Sequence, residues 1–289
     1  MNTERSSDTK PKKQINHRFL DRHTIPGALL LTLWGYVGAQ VLLGGVLLLL
    51  LQLVLPADAA SGFAIAIGAL ILLLIHKRWF YPEFEGCLPG RDFRPALPPL
   101  VLMLVAVWLP SVIQDAAAGA LGAPTLAAIS TALMAGIGEE VTFRGLPGSY
   151  LMRQWRQEEK IPVVMLLTSA LFSLIHAFNL FVGAPLGATV VQLFVTFGFG
   201  LLLCAAFLRT GSLLPSMLLH VAHDIIGLLN IAYTDSGVMT GGMSVLAVLS
   251  NLVAAVLMGA LGLYMTRPAK RKDILALWAD KWGGADSIH

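Results

Sequence analysis

The chain has 289 residues, of which 56% are hydrophobic and 13% are charged, and its mean hydropathy is +0.73. Soluble domains carry about 25% charged residues, so this composition excludes a soluble globular protein and indicates an integral membrane protein. The net charge of +3 comes without a Lys/Arg-rich patch interleaved with aromatic residues, so nucleic acid is not expected as a partner. Cys87 lies in a polar segment and Cys204 in an apolar one, which predicts no disulfide framework.

Eight apolar stretches follow a polar N-terminal tail. A helix needs roughly 20 residues to cross a bilayer, and longer stretches can tilt. The predicted spans are approximately residues 28–55, 62–75 (extended by 76–79), 97–113, 124–143, 162–181, 185–208, 213–231 and 242–265. We therefore predict an all-α fold, namely a polytopic membrane helical bundle of about eight transmembrane helices.

The segments outside the spans complete the predicted organisation. Residues 145–160 mix charged side chains with Leu151, Met152 and Trp155, which predicts an amphipathic helix at the cytoplasmic membrane interface. The predicted divisions are a flexible cytoplasmic tail (1–27), N-terminal transmembrane helices with a loop (28–96), a core that carries the polar motifs (97–232), a C-terminal transmembrane helix (233–266) and a cytoplasmic tail (267–289).

The positive charges alternate along the chain. All 20 Lys and Arg residues lie in the N-terminal tail, after the second span, around and after the end of the fourth span, at Arg209 or in the C-terminal tail. The loops near Asp58, Asp115, 181–185 and 234–235 contain none. Because cytoplasmic loops collect Lys and Arg, both termini are predicted to be cytoplasmic. The expected location is the inner membrane of a bacterium. The basic N-terminal tail makes membrane lipids an expected partner.

Two adjacent carboxylates and an arginine end the predicted fourth span. Ionisable groups at membrane depth are costly unless they are paired or hydrated, so they are candidates for function. Glu140 and Arg144 are four residues apart and share a helix face, so we expect them to pair. Glu139 points about 100° away from that face and is left as the free carboxylate.

Further polar groups lie in later spans. His220 and Asp224 are four residues apart on one helix face, as are Phe172 and His176. A helical bundle can bring the three helices together around a buried pocket. The amides Asn179 and Gln192, in neighbouring spans, are expected to link helices rather than to carry chemistry.

In chain order the motifs read Glu139-Glu140-Val141-Thr142-Phe143-Arg144, Phe172-Ser173-Leu174-Ile175-His176 and His220-Val221-Ala222-His223-Asp224. They resemble the CPBP family, also called the Abi family, which contains the CAAX-prenyl endopeptidases and bacteriocin-processing intramembrane proteases. The segment from Thr210 to His220 is similar to that family's lead-in to its last motif. The resemblance covers about residues 97–232.

This resemblance implies an intramembrane endopeptidase acting on a membrane-associated or lipidated protein or peptide. Glu139 and His176 would activate a water that attacks a peptide carbonyl, with His220 and Asp224 facing the oxyanion. Peptide hydrolysis requires a base for water, an acid for the leaving amine and stabilisation of the tetrahedral intermediate. The residues expected to support this machinery are Glu140, Arg144, Phe172 and His223.

Metal dependence is left open by the last motif. The family's eukaryotic and archaeal CAAX enzymes often have asparagine where this chain has Asp224. An ionised aspartate cannot donate to an oxyanion, so it would have to be protonated, orient His220 or bind a metal. Glu139, His176, His220 and Asp224 are the possible ligands of zinc or another divalent ion, although the zinc motif His-Glu-x-x-His is absent. We favour glutamate chemistry without a cofactor.

Two other functions compete with proteolysis. One is a non-enzymatic Abi-type immunity or partner-binding protein, and the other is a transporter that relays protons or cations through the buried carboxylates. No internal repeat supports a transporter, and no expected catalytic position is missing. The substrate stays open among a prenylated tail, a leader peptide and a sorting signal, each reached from the cytoplasm.

One geometric difficulty accompanies this prediction. Glu139 lies near the cytoplasmic end of the predicted fourth span. His176 follows Pro162 by fourteen residues, which places it about 21 Å along the fifth span. The two side chains meet only if the fifth helix starts inside the cytoplasm or the helices tilt around a conical cavity.

Overall fold

A computed structural model describes Leu20, residues 22–231 and residues 243–284. The described part contains helices and no strand beyond an isolated bridge between Leu121 and Asn230, which confirms the all-α fold. With their short 3-10 and π turns included, the helices are α1 (Thr24–Leu51), α2 (Ala57–Phe80), α3 (Arg94–Ala117), α4 (Leu126–Gln154), α5 (Glu158–Val182), α6 (Leu186–Thr210), α7 (Leu214–Gly227), α8 (Val245–Met265) and α9 (Pro268–Lys281).

Seven of these described helices, α1 to α6 and α8, are long and apolar enough to cross a membrane. They correspond to seven of the eight predicted spans, and the chain is an integral membrane protein. The remaining span, predicted at 213–231, is α7, which has 14 residues. At about 1.5 Å per residue it extends about 21 Å, less than the roughly 30 Å of a hydrocarbon core. Helix α7 is thus shorter than the predicted span, and the chain after it continues to the loop that follows α3, where Ile231 N–H donates to the carbonyl oxygen of Ala120 at 2.9 Å.

The fourth helix is longer than the sequence pattern predicts. It continues past Phe143 to Gln154, and Leu146–Met152 are all buried. Its backbone widens into π turns at Met134–Glu139 and Val141–Gly145. The separate interfacial helix predicted at 145–160 therefore does not form, because its apolar side chains pack inside the protein instead of lying on the membrane surface.

Local residues define several helix ends. The hydroxyl oxygen of Thr125 accepts a hydrogen bond from Ala128 N–H at 3.0 Å at the start of α4, and Ser244 caps α8 in the same way. Gly183 and Gly211 follow α5 and α6 with φ angles of 95° and 66°, a left-handed conformation that favours glycine.

Small residues let neighbouring helices approach closely. A Cβ added to Gly198 on α6 would lie 2.3 Å from the carbonyl oxygen of Ala255 on α8. A Cβ added to Gly136 on α4 would lie 2.3 Å from Cγ2 of Val221 on α7. Such contacts are typical of packed membrane helices. They set the distances between the helices that carry the polar motifs.

The C-terminal segment contains a packed helix. Ile274 and Trp278 of α9 are buried, and Trp278 Nε1 donates to the carbonyl oxygen of Leu208 at 3.1 Å. Lys281 Nζ donates to the carbonyl oxygen of Pro89 at 2.7 Å. Helix α9 thus lies over the end of α6 and the loop before α3.

Helix α9 lies at what we call the basic end of the bundle. The basic end is formed by the helix ends that carry Lys77, Arg94, Arg153, Lys160, Arg209 and Arg267. The opposite end, which carries Asp58 and Asp115, has no Lys or Arg in its described loops.

Candidate active site

A cavity of about 490 Å³ lies among α3, α4, α5, α6, α7 and α8. All four predicted catalytic residues line it: Glu139 from α4, His176 from α5, and His220 and Asp224 from α7. His223 is also in the wall. Three motifs that are far apart in sequence therefore meet around one volume.

The adjacent glutamates have different surroundings. The Glu140 side chain is 0% exposed, and its Oε1 lies 2.7 Å from Nη1 of Arg144, which is also 0% exposed. The Glu139 side chain is 25% exposed and lines the cavity. The i,i+4 pair thus forms as its spacing predicts, and the other carboxylate is the one that faces open space.

Arg144 is enclosed by α4, α5 and α6. Its guanidinium carbon lies 4.1 Å from the centroid of the Phe172 ring, a cation–π contact. Gly200 on α6 leaves room for the group, since a Cβ there would lie 3.1 Å from Nη2. Among the described residues, Nε and Nη2 have no hydrogen-bond partner. The charge of Arg144 therefore depends on Glu140 and the aromatic face for its stabilisation.

His220 lies among three carboxylates. Its Nδ1 is 3.0 Å from Oε1 of Glu140, so Nδ1–H donates to the oxygen that also contacts Arg144. Its Nε2 is 3.8 Å from Oε2 of Glu139 and 3.6 Å from Oδ2 of Asp224. The hydrogen bond to Glu140 sets the ring orientation, and the second nitrogen points toward the carboxylates of the cavity wall.

His176 lies where α5 changes from α to 3-10 geometry. Its Nδ1 is 2.9 Å from the backbone carbonyl oxygen of Phe172. A carbonyl can only accept, so Nδ1 carries the hydrogen and Nε2 of the neutral ring carries the lone pair. The Phe172 ring stands edge-on to both His176 and His220, with centroids 5.1 and 5.5 Å away. Phe172 thus separates the two imidazoles at one side of the cavity.

Other cavity residues were not identified from the sequence. The Phe199 ring on α6 lies 5.3 Å from His220 and 4.7 Å from His223, centroid to centroid. An aromatic residue in an apolar span carries no local signal of such a contact. Asn251 on α8 also lines the cavity, and here an amide inside an apolar span was a usable signal.

The amides predicted to link helices do so. Asn179 Nδ2 donates to Oε1 of Gln192 at 2.9 Å, joining α5 to α6. At the far end of the cavity, Asn230 Nδ2 donates to Oδ1 of Asp115 at 2.8 Å. These four residues make much of the cavity wall polar.

The predicted metal ligands are chemically suitable for zinc. Across the described residues, however, no group of three His, Cys, Asp or Glu side chains is arranged to hold a metal ion. The present positions of Glu139, His176, His220 and Asp224 therefore do not fit a closed metal site.

Residues 121–226 match the family model described as Type II CAAX prenyl endopeptidase Rce1-like. The matched segment runs from just before α4 nearly to the end of α7, so it contains all three motifs and the helices that carry them. Neither a curated protein nor a solved structure matches the chain. The match confirms the resemblance to the CAAX protease family that the motifs indicate.

Proposed function

We propose that this membrane protein is an endopeptidase that hydrolyses a peptide bond of a membrane-associated or lipidated protein or peptide. The observation that carries the proposal is the convergence of Glu139, His176, His220 and Asp224 on one cavity inside an apolar bundle. Ionisable groups at this depth are costly, so their grouping around open space favours a chemical role. The family match supports the same class of reaction.

Glu139 is the general base in the proposed mechanism. Its carboxylate takes a proton from a water held between Glu139 and Nε2 of His176. The water oxygen forms a bond to the carbonyl carbon, and the carbonyl π electrons move onto the carbonyl oxygen. His176 contributes by orienting the water, since Nδ1 is occupied by the Phe172 carbonyl and Nε2 is left to accept.

His220 stabilises the oxyanion that forms. Its Nδ1–H is committed to Glu140, so a donor to the oxyanion has to be Nε2–H. The carboxylates of Glu139 and Asp224 lie 3.8 and 3.6 Å from Nε2 and are the groups that can share this proton. A fixed donor in a site with little water stabilises developing charge more than the same donor in bulk water.

The intermediate collapses when its C–N bond breaks. The leaving nitrogen takes the proton that Glu139 accepted, which regenerates the carboxylate. Glu140 and Arg144 are fully buried and do not face the cavity. They act through His220, whose ring they orient, and are therefore positioning residues.

The first prediction tests this mechanism with two substitutions. Glu139→Gln removes the base and His176→Ala removes the group that orients water, so each variant should lose cleavage while remaining folded. The measurement is hydrolysis of a quenched-peptide library in detergent, together with the melting temperature of each variant.

Ser250→Ala provides the matched control, because Ser250 lines the same cavity from α8 and belongs to none of the three motifs. It should cleave like the unchanged protein. Activity of Glu139→Gln equal to that of Ser250→Ala would refute the mechanism. Proton or cation uptake without cleavage by the unchanged protein would favour a transporter.

A further inference from the structure

The cavity occupies one half of the bundle. On each helix that lines it, the wall residues come from the middle of the helix or from the half that leads to the opposite end. These segments are 106–115 of α3, 131–139 of α4, 172–179 of α5, 188–199 of α6, 220–227 of α7 and 247–254 of α8. Among the described residues, no segment of these helices nearer the basic end lines this cavity.

Packed side chains fill the half near the basic end. Phe143, Tyr150, Phe207 and Trp278 are buried there in one continuous core. The fully buried Glu140–Arg144 pair lies between this core and the cavity. None of these four core residues lines the cavity that contains Glu139.

Toward the opposite end the cavity wall is polar. Asp115, near the end of α3, and Asn230, just after α7, are hydrogen-bonded at 2.8 Å and both line the cavity. Asn179, near the end of α5, belongs to the same wall. Polar groups along this side allow hydration of the path to Glu139, whose side chain is 25% exposed.

The charge pattern assigns the two ends to the two sides of the membrane. Among the residues that the structure describes, every Lys and Arg except the buried Arg144 lies in a segment at or beyond the basic end. Cytoplasmic segments collect these residues, so the basic end is cytoplasmic. The polar half of the cavity then lies toward the other side of the membrane.

We infer that the cavity opens at the non-cytoplasmic face and that substrates reach Glu139 from that face. This inference rests on the proposed function. If the protein is an endopeptidase, the scissile bond lies in an extracytoplasmic segment of a polypeptide or in the outer half of its membrane-spanning helix. This conclusion differs from the cytoplasmic access expected from the sequence. A lipidated tail held at the cytoplasmic leaflet would meet the packed core instead.

Cysteine accessibility tests the inference without a substrate. Ala135 lines the cavity one helical turn before Glu139, so a thiol at Ala135→Cys is reached through the cavity. Lys272→Cys supplies the matched control on the exposed surface of α9 at the basic end. The probe is a membrane-impermeant trimethylammonium methanethiosulfonate, applied to right-side-out and to inverted membrane vesicles.

The unchanged protein is the baseline for this experiment. Cys87 and Cys204 are both buried. Burial also raises the pKa of the Cys87 thiol to about 12, so its reactive thiolate is scarce at neutral pH. Neither native cysteine should therefore be modified in folded protein.

Ala135→Cys should be modified in right-side-out vesicles and protected in inverted ones, and Lys272→Cys should show the reverse. Modification of Ala135→Cys from the cytoplasmic side would overturn the inference, whichever side labels Lys272→Cys. Protection from both sides would overturn it as well, because the cavity would then be closed to water. The labelling experiment measures no cleavage, so its result does not depend on the proposed function. Cleavage by Glu139→Gln would refute the proposed function and would leave the labelling result unchanged.

Discussion

At the scale of single residues, environment separates two glutamates that are adjacent in the chain. Glu140 is fully buried and contacts both Arg144 and His220, at 2.7 and 3.0 Å. Glu139 is a quarter exposed, and its Oε2 lies 3.8 Å from Nε2 of His220. The same carboxylate chemistry thus supplies a structural ion pair at one position and a candidate base at the next.

A second prediction follows from the buried pair. Glu140→Gln should damage folding and accumulation more than Glu139→Gln, because it leaves the charge of Arg144 buried without a partner. Removing one member of a buried pair costs roughly 3–5 kcal/mol. The measurement is the melting temperature and the yield of the two variants in the same detergent. If Glu139→Gln is the variant that fails to accumulate, the two roles are reversed.

A third prediction concerns Asp224 and separates the two possible chemistries. Loss of an oxyanion donor lowers the rate of catalysis roughly 100-fold. In a metal-independent site the cleavage rate of Asp224→Asn should fall by less than this, because the asparagine amide can donate a hydrogen bond to the oxyanion. In a metal site the same change weakens an oxygen ligand, so activity should fall and respond to added divalent ions.

The cleavage rate and the metal content of Asp224→Asn should be measured on one preparation. Insensitivity of the unchanged protein to chelators would agree with glutamate chemistry. An inactive variant that has also lost stoichiometric zinc would contradict it.

At the scale of helices, the site depends on how closely α4 approaches α7. The hydrogen bond between Glu140 and His220 crosses that interface at 3.0 Å. Gly136, one turn before Glu140, contacts the backbone of Val221, the residue after His220. The absence of a side chain at Gly136 therefore permits the approach that the hydrogen bond requires.

A fourth prediction uses two glycines of the same helix. A Cβ at Gly136 would lie 2.6 Å from the backbone nitrogen of Val221, so Gly136→Ala should push α7 away and lower both activity and melting temperature. Gly138→Ala is the matched control, because its Cβ would meet only Cγ2 of Ile65 at 3.4 Å, an ordinary contact. Equal behaviour of the two variants would contradict the assigned role of Gly136.

The continuation of α4 also removes the difficulty over depth. Glu139 is near the middle of Leu126–Gln154 rather than near its cytoplasmic end. His176 lies six residues before the end of α5, and both side chains line the half of the bundle that leads to the opposite end. No unusual tilt is needed for the two residues to reach one cavity.

At the scale of the whole molecule, the two halves of the bundle differ in packing. The half toward the basic end holds the aromatic core and α9, and the other half holds the cavity. This arrangement agrees with the proposed function, in which open polar space would admit a polypeptide and packed side chains would hold the proposed catalytic groups in place.

A fifth prediction concerns the orientation of the whole molecule. Topology reporters fused at Asp58 and Asp115 should report the non-cytoplasmic side, and reporters near Arg91 and Lys160 the cytoplasm, because Lys and Arg collect at the basic end. A fusion at Asp235, which lies outside the described residues, should also report the non-cytoplasmic side. A cytoplasmic signal at Asp115 would contradict both the topology and the inferred side of substrate entry.

The sequence by itself determined the membrane character, seven of the helices, the pairing of Glu140 with Arg144 and the residues of the three motifs. Each of these depends on local information: mean hydropathy over about 20 residues, or two side chains four residues apart on one helix. The relation to the CAAX protease family was readable for the same reason, because its motifs are short and contiguous.

Only the tertiary structure decided the length of α4, the shortness of α7, the position of Phe199 beside the histidines and the half of the bundle that holds the cavity. These features depend on which helix faces meet. Glycine contacts such as Gly136 with Val221 join segments more than 80 residues apart, and no local period records them. Hydropathy does not distinguish an apolar residue that faces lipid from one that faces another helix. The end of each helix and the position of the cavity therefore follow from packing between helices.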